Sequence, residues 1–122
     1  ARKANGVGPT LVGGSRKHGG PDLGPTRARE AWKKLGVDGR GLADAPPPAD
    51  APVDFIPRLT RDMTAVIQGF PLDWKFYGRK TASYRQVGNA FPPPVARAVG
   101  TRIRMAIEAA RGTGRRGLLR AV

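Results

Sequence analysis

The sequence predicts a mixed α/β fragment in which a few short helices and short strands are set in much loop. Three observations point there. Glycine (17) and proline (12) make up close to a quarter of the 122 residues, well above average usage. Helical periodicity is confined mostly to short stretches bounded by caps and breakers. The apolar inventory is thin: each half offers about one helical face to bury, which supplies little net stability for a chain of this size.

The elements follow in order. Thr10-Leu11-Val12 can form a short strand, and Gly13 to Gly20 is a Gly-rich basic loop. Thr26 is placed to cap a helix from Arg27 to Leu35, with Gly36 as its stop and Ala28, Ala31, Trp32 and Leu35 on one face. Gly41 to Pro57 carries Pro46-Pro47-Pro48, Pro52 and Pro57 among Ala and Asp, and reads as a semi-rigid extended connector between two lobes. Thr60 can cap a helix from Arg61 to Gln68 whose apolar stripe is Met63, Val66 and Ile67; Gly69 and Pro71 end it. A short helix is expected from about Thr81 to Val87. The longest helix should start at Pro93-Pro94 and run to about Ala110, with Val95, Val99, Ile103 and Ile107 on one face. Gly112 to Val122 is Gly/Arg-rich and is expected to fray as a flexible basic tail. No internal repeat is found.

Charge limits the partners. Lys plus Arg is 22 against 9 Asp plus Glu, a balance of +13. Residues 1–40 carry +6, 41–57 carry −3 and 58–122 carry +10. So large an excess on a short chain suits a polyanion, most often nucleic acid. No segment approaches a membrane span, and no stretch has the Trp/Phe-rich face of an interfacial helix. No signal peptide follows Arg2-Lys3. The first residue is Ala1 rather than Met, as expected of a processed chain or a fragment. There is no cysteine. Disulfides, thiolate zinc sites and cysteine nucleophiles are therefore excluded for these residues by themselves. His18, the one histidine, has no second histidine or cysteine with which to complete a metal site.

Two blocks carry a specific resemblance. One runs from Pro57-Arg58-Leu59-Thr60 through Ile67-Gln68-Gly69-Phe70-Pro71; the other is Tyr84-Arg85-Gln86-Val87-Gly88-Asn89-Ala90-Phe91-Pro92-Pro93-Pro94. Both are similar to the last two blocks of the DNA cytosine-5 methyltransferase family, in the same order. Upstream, Gly6-Val7-Gly8-Pro9-Thr10-Leu11-Val12-Gly13-Gly14 is similar to the end of that family's target-recognition region, where a Thr-Leu pair precedes a Gly-rich loop. The resemblance spans about residues 5–110, more loosely through 21–57. The family's Phe-x-Gly-x-Gly cofactor loop, Pro-Cys nucleophile, Glu-Asn-Val and Gln-x-Arg-x-Arg blocks are not in this sequence. The thiolate that must attack the pyrimidine ring has no substitute here.

The resemblance implies the C-terminal part of a DNA cytosine-5 methyltransferase, completing a Rossmann-like catalytic domain that uses S-adenosylmethionine. It divides the chain into the end of the target-recognition region (1–40), the connector (41–57), a C-terminal methyltransferase segment with terminal helix (58–111) and the tail (112–122). DNA contact is expected from Thr10, Gly13, Gly14, Ser15, Arg16, Lys17 and His18. Glycines let the backbone approach the bases, and Arg or Lys paired with guanine is the commonest specific contact. On residue types alone, the loop is equally a solvated one, and Thr10 either meets a phosphate or closes a strand locally. Gly88, Asn89 and Ala90 are expected to help close the S-adenosylmethionine pocket, with Gly88 permitting a sharp turn. Asn89 is either a cofactor contact or the cap of the terminal helix. The family often has Ser at Ala90, so a hydroxyl contact is lost and backbone contact alone remains there. No catalytic or metal-ligating residue is expected. Arg58, Thr60 and Gln68 read as structural, and Trp74, Phe76, Tyr77 and Tyr84 as core aromatics rather than a stack for an extruded base.

The expected partners are double-stranded DNA and the catalytic N-terminal part, covalent or separate, which would hold most of the S-adenosylmethionine; no membrane partner is expected. The alone-standing chain should be inactive. A bacterial cytoplasmic, nucleoid-associated setting and a restriction-modification system are the expected context. The rival reading is a stand-alone basic nucleic-acid-binding protein. It fits the charge and leaves the Gln-Gly-Phe-Pro and Gly-Asn-Ala-Phe-Pro blocks unexplained.

Overall fold

A computed structural model describes residues 4–13 and 20–118. Among the described residues there are four helices: α1 (Thr26–Lys34), α2 (Arg61–Gln68), α3 (Lys80–Asn89) and α4 (Pro93–Leu118). Among the described residues there is no strand; one isolated parallel bridge joins Ala43 and Thr60. The helices and loops of the expectation are present, and its short strands are not. Thr10–Val12 is extended but pairs with no other segment as a ladder, because the groups nearest to it belong to a helix.

The chain divides into two compact units, Ala1–Ala90 and Phe91–Val122. The first has one core, built from Leu11, Leu23, Trp32, Leu42, Ala65, Tyr84 and Val87, with Leu35, Val37, Leu59, Phe70 and Phe76 against it. Residues before and after the proline-rich stretch thus share one interior. That stretch is a loop closed on itself rather than a spacer between lobes. Its ends are tied by Asp38 N–H to Pro57 C=O (2.9 Å) and Ala43 N–H to Leu59 C=O (2.9 Å). Ion pairs reinforce the closure: Asp38 takes Arg40 (2.9 Å) and Arg58 (3.0 Å), while Lys80 reaches Asp44 (2.6 Å) and donates to the Leu42 carbonyl (3.2 Å). The Arg40 guanidinium, above all, holds the Asp38 carboxyl well below the usual carboxylate range; the Arg40 N–H and Arg58 assist, and partial burial opposes them.

Local chemistry explains the helix ends. Pro25, not Thr26, precedes α1; Thr26 lies inside the first turn, where its hydroxyl accepts from Arg29 Nη2 (3.0 Å). Thr60 caps α2 as expected, its hydroxyl accepting from Met63 N–H (3.1 Å). Gly69 then ends α2 in the left-handed region at φ 86°, where glycine carries no steric penalty. The expected face of α2 is wrong. Thr64 and Ala65 are buried, whereas Val66 and Ile67 are exposed. The buried Thr64 hydroxyl is satisfied by donating to Arg61 C=O (2.6 Å).

In the second unit, α4 continues to Leu118, past the expected stop at Gly112. Gly112, Gly114 and Gly117 all fall within this last stretch, and each costs a helix about 1 kcal/mol relative to alanine. Val95, Val99, Ile103 and Ile107 form the expected stripe, 46 to 56 % exposed.

Removing the α2 cap tests the local account. Thr60→Ala should lower stability by about 1 kcal/mol without changing helix content, measured by urea denaturation followed through the buried Trp32.

Candidate DNA and cofactor site

The extended segment Leu11-Val12-Gly13 lies across the last turns of α3. Leu11 is buried in the core. The fully buried Tyr84, a turn earlier in α3, donates its hydroxyl to the Val12 carbonyl at 3.0 Å. Gly13 meets the end of the helix. A methyl group on Gly88 would sit 2.6 Å from the Val12 carbonyl carbon and 2.7 Å from Gly13 Cα, inside any tolerable contact. A methyl group on Gly13 would come to 2.8 Å from Asn89 Cγ. Gly88 therefore permits backbone to lie directly on backbone, while Gly13 leaves room for the Asn89 side chain. Thr10 is exposed at the start of this segment.

Two regions 76 positions apart in sequence, one expected to touch DNA and one expected to line the cofactor, are thus neighbours at Gly13 and Asn89. Gly14, Ser15, Arg16, Lys17 and His18 lie outside the described residues.

The roles within 88–90 differ from those expected. Gly88 makes no sharp turn; it is inside α3, which ends at Asn89. Asn89 accordingly closes one helix rather than capping the next. Ala90 has both backbone groups engaged, its N–H with Val87 C=O (3.3 Å) and its carbonyl with Gln68 Nε2 (2.9 Å). Among the described residues nothing pairs with the exposed Asn89 amide. Of the three, Asn89 is the residue with donors and an acceptor to offer a polar ligand.

The supporting residues behave as the sequence suggests in part. Arg58, Thr60 and Gln68 each have a partner within the chain, Gln68 linking the two family blocks directly. Tyr84 is core, and Phe76 is packed edge-on against Phe70 with centroids 5.1 Å apart. Trp74 and Tyr77 are not core; Tyr77 is 89 % exposed. The proline and glycine turns at 71–78 carry these two rings to the surface. A further feature is an open cleft of about 430 Å³ lined by Arg29, Lys33 and Arg40 together with Glu30 and Asp38, so its charge is mixed and Arg40 is already paired with Asp38. Spacing along α1 brings the first two together, but Arg40 joins them only through the turn after Gly36. Among the described residues, no group of three His, Asp or Glu could hold a metal, and no helix is long and apolar enough to cross a membrane.

Comparison with known proteins decides the family. Residues 22–105 match the family described as C-5 cytosine-specific DNA methylase. The chain belongs to that family. It is 59 % identical over 108 residues to the type II methyltransferase M.NaeI of Lentzea aerocolonigenes, covering 88 % of this chain and 26 % of that protein. It is 66 % identical over 53 residues to the type II methyltransferase M.NgoMIV of Neisseria gonorrhoeae, covering 43 % of this chain and 17 % of the relative. It is also 38 % identical over 74 residues to DNA (cytosine-5)-methyltransferase 1A of Oryza sativa subsp. japonica, covering 57 % of this chain and 5 % of that protein. The chain spans about a quarter of the length of the first of these relatives and less of the others. No solved structure matches it.

Burial, with a smaller contribution from the Asp22 charge, pushes the Tyr84 phenol up to about 12. An unfolded tyrosine ionises near pH 10, so between about pH 10 and 12 the folded state keeps a proton that the unfolded chain releases. The stabilisation is complete below pH 10 and is lost as pH rises through 12. Alkaline denaturation should show this loss, and Tyr84→Phe should remove that component of the pH dependence.

Proposed function

We propose that this chain is the C-terminal part of a DNA cytosine-5 methyltransferase that transfers a methyl group from S-adenosylmethionine to cytosine C5 in duplex DNA, as part of a restriction-modification system. The observation that carries the reading is the family match over residues 22–105. The rival, a stand-alone basic nucleic-acid-binding protein, gives no account of that match.

Within the complete enzyme, the remaining part supplies the thiolate, which these residues lack, and the pocket for a cytosine turned out of the duplex. S-adenosylmethionine supplies the methyl group. This chain's share is recognition and positioning. Thr10 and Gly13 to His18 read the site from the major groove, where Arg16 and Lys17 can donate to guanine. Asn89 offers its unpaired amide to the cofactor's polar groups, with Gly88 and Ala90 shaping the backbone beside it. The setting proposed is the bacterial cytoplasm, on the nucleoid.

Reconstitution tests this directly. The complete polypeptide, or this chain mixed with a neighbouring one that bears the Pro-Cys block, should transfer label from S-adenosylmethionine to cytosine in duplex DNA. No transfer with both parts folded would overturn the proposal.

Arg16→Ala combined with Lys17→Ala in the same assembly should weaken DNA binding about tenfold or more and relax the preferred sequence, as loss of groove contacts of about 1–3 kcal/mol each implies. Unchanged affinity and preference, read from competition binding, would exclude the loop from recognition.

A further inference from the structure

Resting on the methyltransferase reading, we infer that Tyr84 is a positioning residue for DNA recognition: its bond to the Val12 carbonyl fixes where the chain departs toward the groove.

Leu11, Val12 and Gly13 belong to no strand ladder, so their placement depends on three unlike contacts. The Leu11 side chain is sunk in the core. The Val12 carbonyl is held by the Tyr84 hydroxyl at 3.0 Å. Gly13 is pressed against Gly88, where a methyl group would run into the Val12–Gly13 backbone, and adjoins the Asn89 side chain. Of the three contacts, the Tyr84 bond is the directional one. Burial and backbone contact limit how close the segment lies to α3, but each allows some sliding along the helix. A hydrogen bond that weakens steeply off its axis opposes such sliding. Tyr84 itself has little freedom, being fully buried on a helix that Gln68 also ties to α2 through Ala90.

Consequently the position of Gly13 is set from inside the core, by a residue that touches neither DNA nor cofactor. Base readout depends on donors placed to within a fraction of an ångström, so a small shift at the base of the segment is felt as lost discrimination.

The test uses the complete enzyme and duplexes of random sequence, methylated and then mapped to identify the preferred site. Steady-state kinetics on that site and on its single-base variants follow for wild type, Tyr84→Phe, Gly88→Ala and Ser83→Ala. Tyr84→Phe keeps the ring and removes only the hydroxyl. It should raise KM for DNA about fivefold, the equivalent of one ordinary hydrogen bond, and lower the preference for the cognate site by a similar factor. Turnover and KM for S-adenosylmethionine should stay within about twofold of wild type. Gly88→Ala displaces the same segment sterically and should act in the same direction.

Ser83→Ala is the structural comparison. Ser83 is buried beside Tyr84 on α3, yet its hydroxyl bonds only the carbonyls of Arg79 and Lys80. It should lower the melting temperature and leave site preference alone. If Tyr84→Phe behaves as Ser83→Ala does, or loses turnover with both KM values intact, the positioning role is overturned. If Gly88→Ala fails to fold, Tyr84→Phe decides the matter alone. A wild-type enzyme that transfers no methyl group would instead overturn the methyltransferase reading itself.

Discussion

The first unit depends on one close approach, that of the backbone at Val12 and Gly13 to the end of α3. Helices ordinarily keep other backbones several ångströms away with their side chains. Here Gly88 removes that spacing, since a methyl group on it would meet the Val12 and Gly13 backbone at 2.7 Å or less. The Tyr84 hydroxyl then supplies direction to a contact that packing alone would leave free to slide. Around it the core closes: Leu11 enters from one side, Val87 and Tyr84 from α3, Ala65 from α2 and Trp32 from α1.

That contact joins what the chain proposes to offer a complete enzyme. The segment leading to the loop proposed to read bases and the residue proposed to face the cofactor are separated by most of the chain, yet they adjoin at Gly13 and Asn89. Gln68, from the other family block, ties down Ala90 just beyond. On the proposed reading their shared task is geometric, and the remaining part of the enzyme brings the thiolate. The long apolar stripe of α4 and the exposed Val66 and Ile67 of α2 are uncovered by their own units, in keeping with a chain that spans about a quarter of a relative such as M.NaeI.

Some of this was legible residue by residue. Thr60, Gly69 and the spacing of α2 sufficed to place that helix, because caps and left-handed glycines act through neighbours in sequence. The order of the blocks around Gln68 and Gly88 sufficed for the family. The face of α2 was not legible. Hydropathy ranks Val66 and Ile67 above Thr64 and Ala65, yet the fold buries the smaller pair. Gly88 misled for a similar reason: a glycine before prolines suggests a turn, while its actual constraint is a chain 75 positions away.

The sequence by itself determined the net positive charge, the absence of cysteine from these residues, the start of α2 set by its Thr60 cap, and the family blocks. Each of these is a property of composition or of residues a few positions apart. Only the tertiary structure decided that the proline-rich stretch closes on itself, that Thr10–Val12 lies against a helix rather than in a sheet, and that Asn89 rather than Gly88 or Ala90 has a polar group to spare. Those outcomes depend on which distant backbone arrives within hydrogen-bonding or van der Waals distance, and no local pattern encodes that arrival.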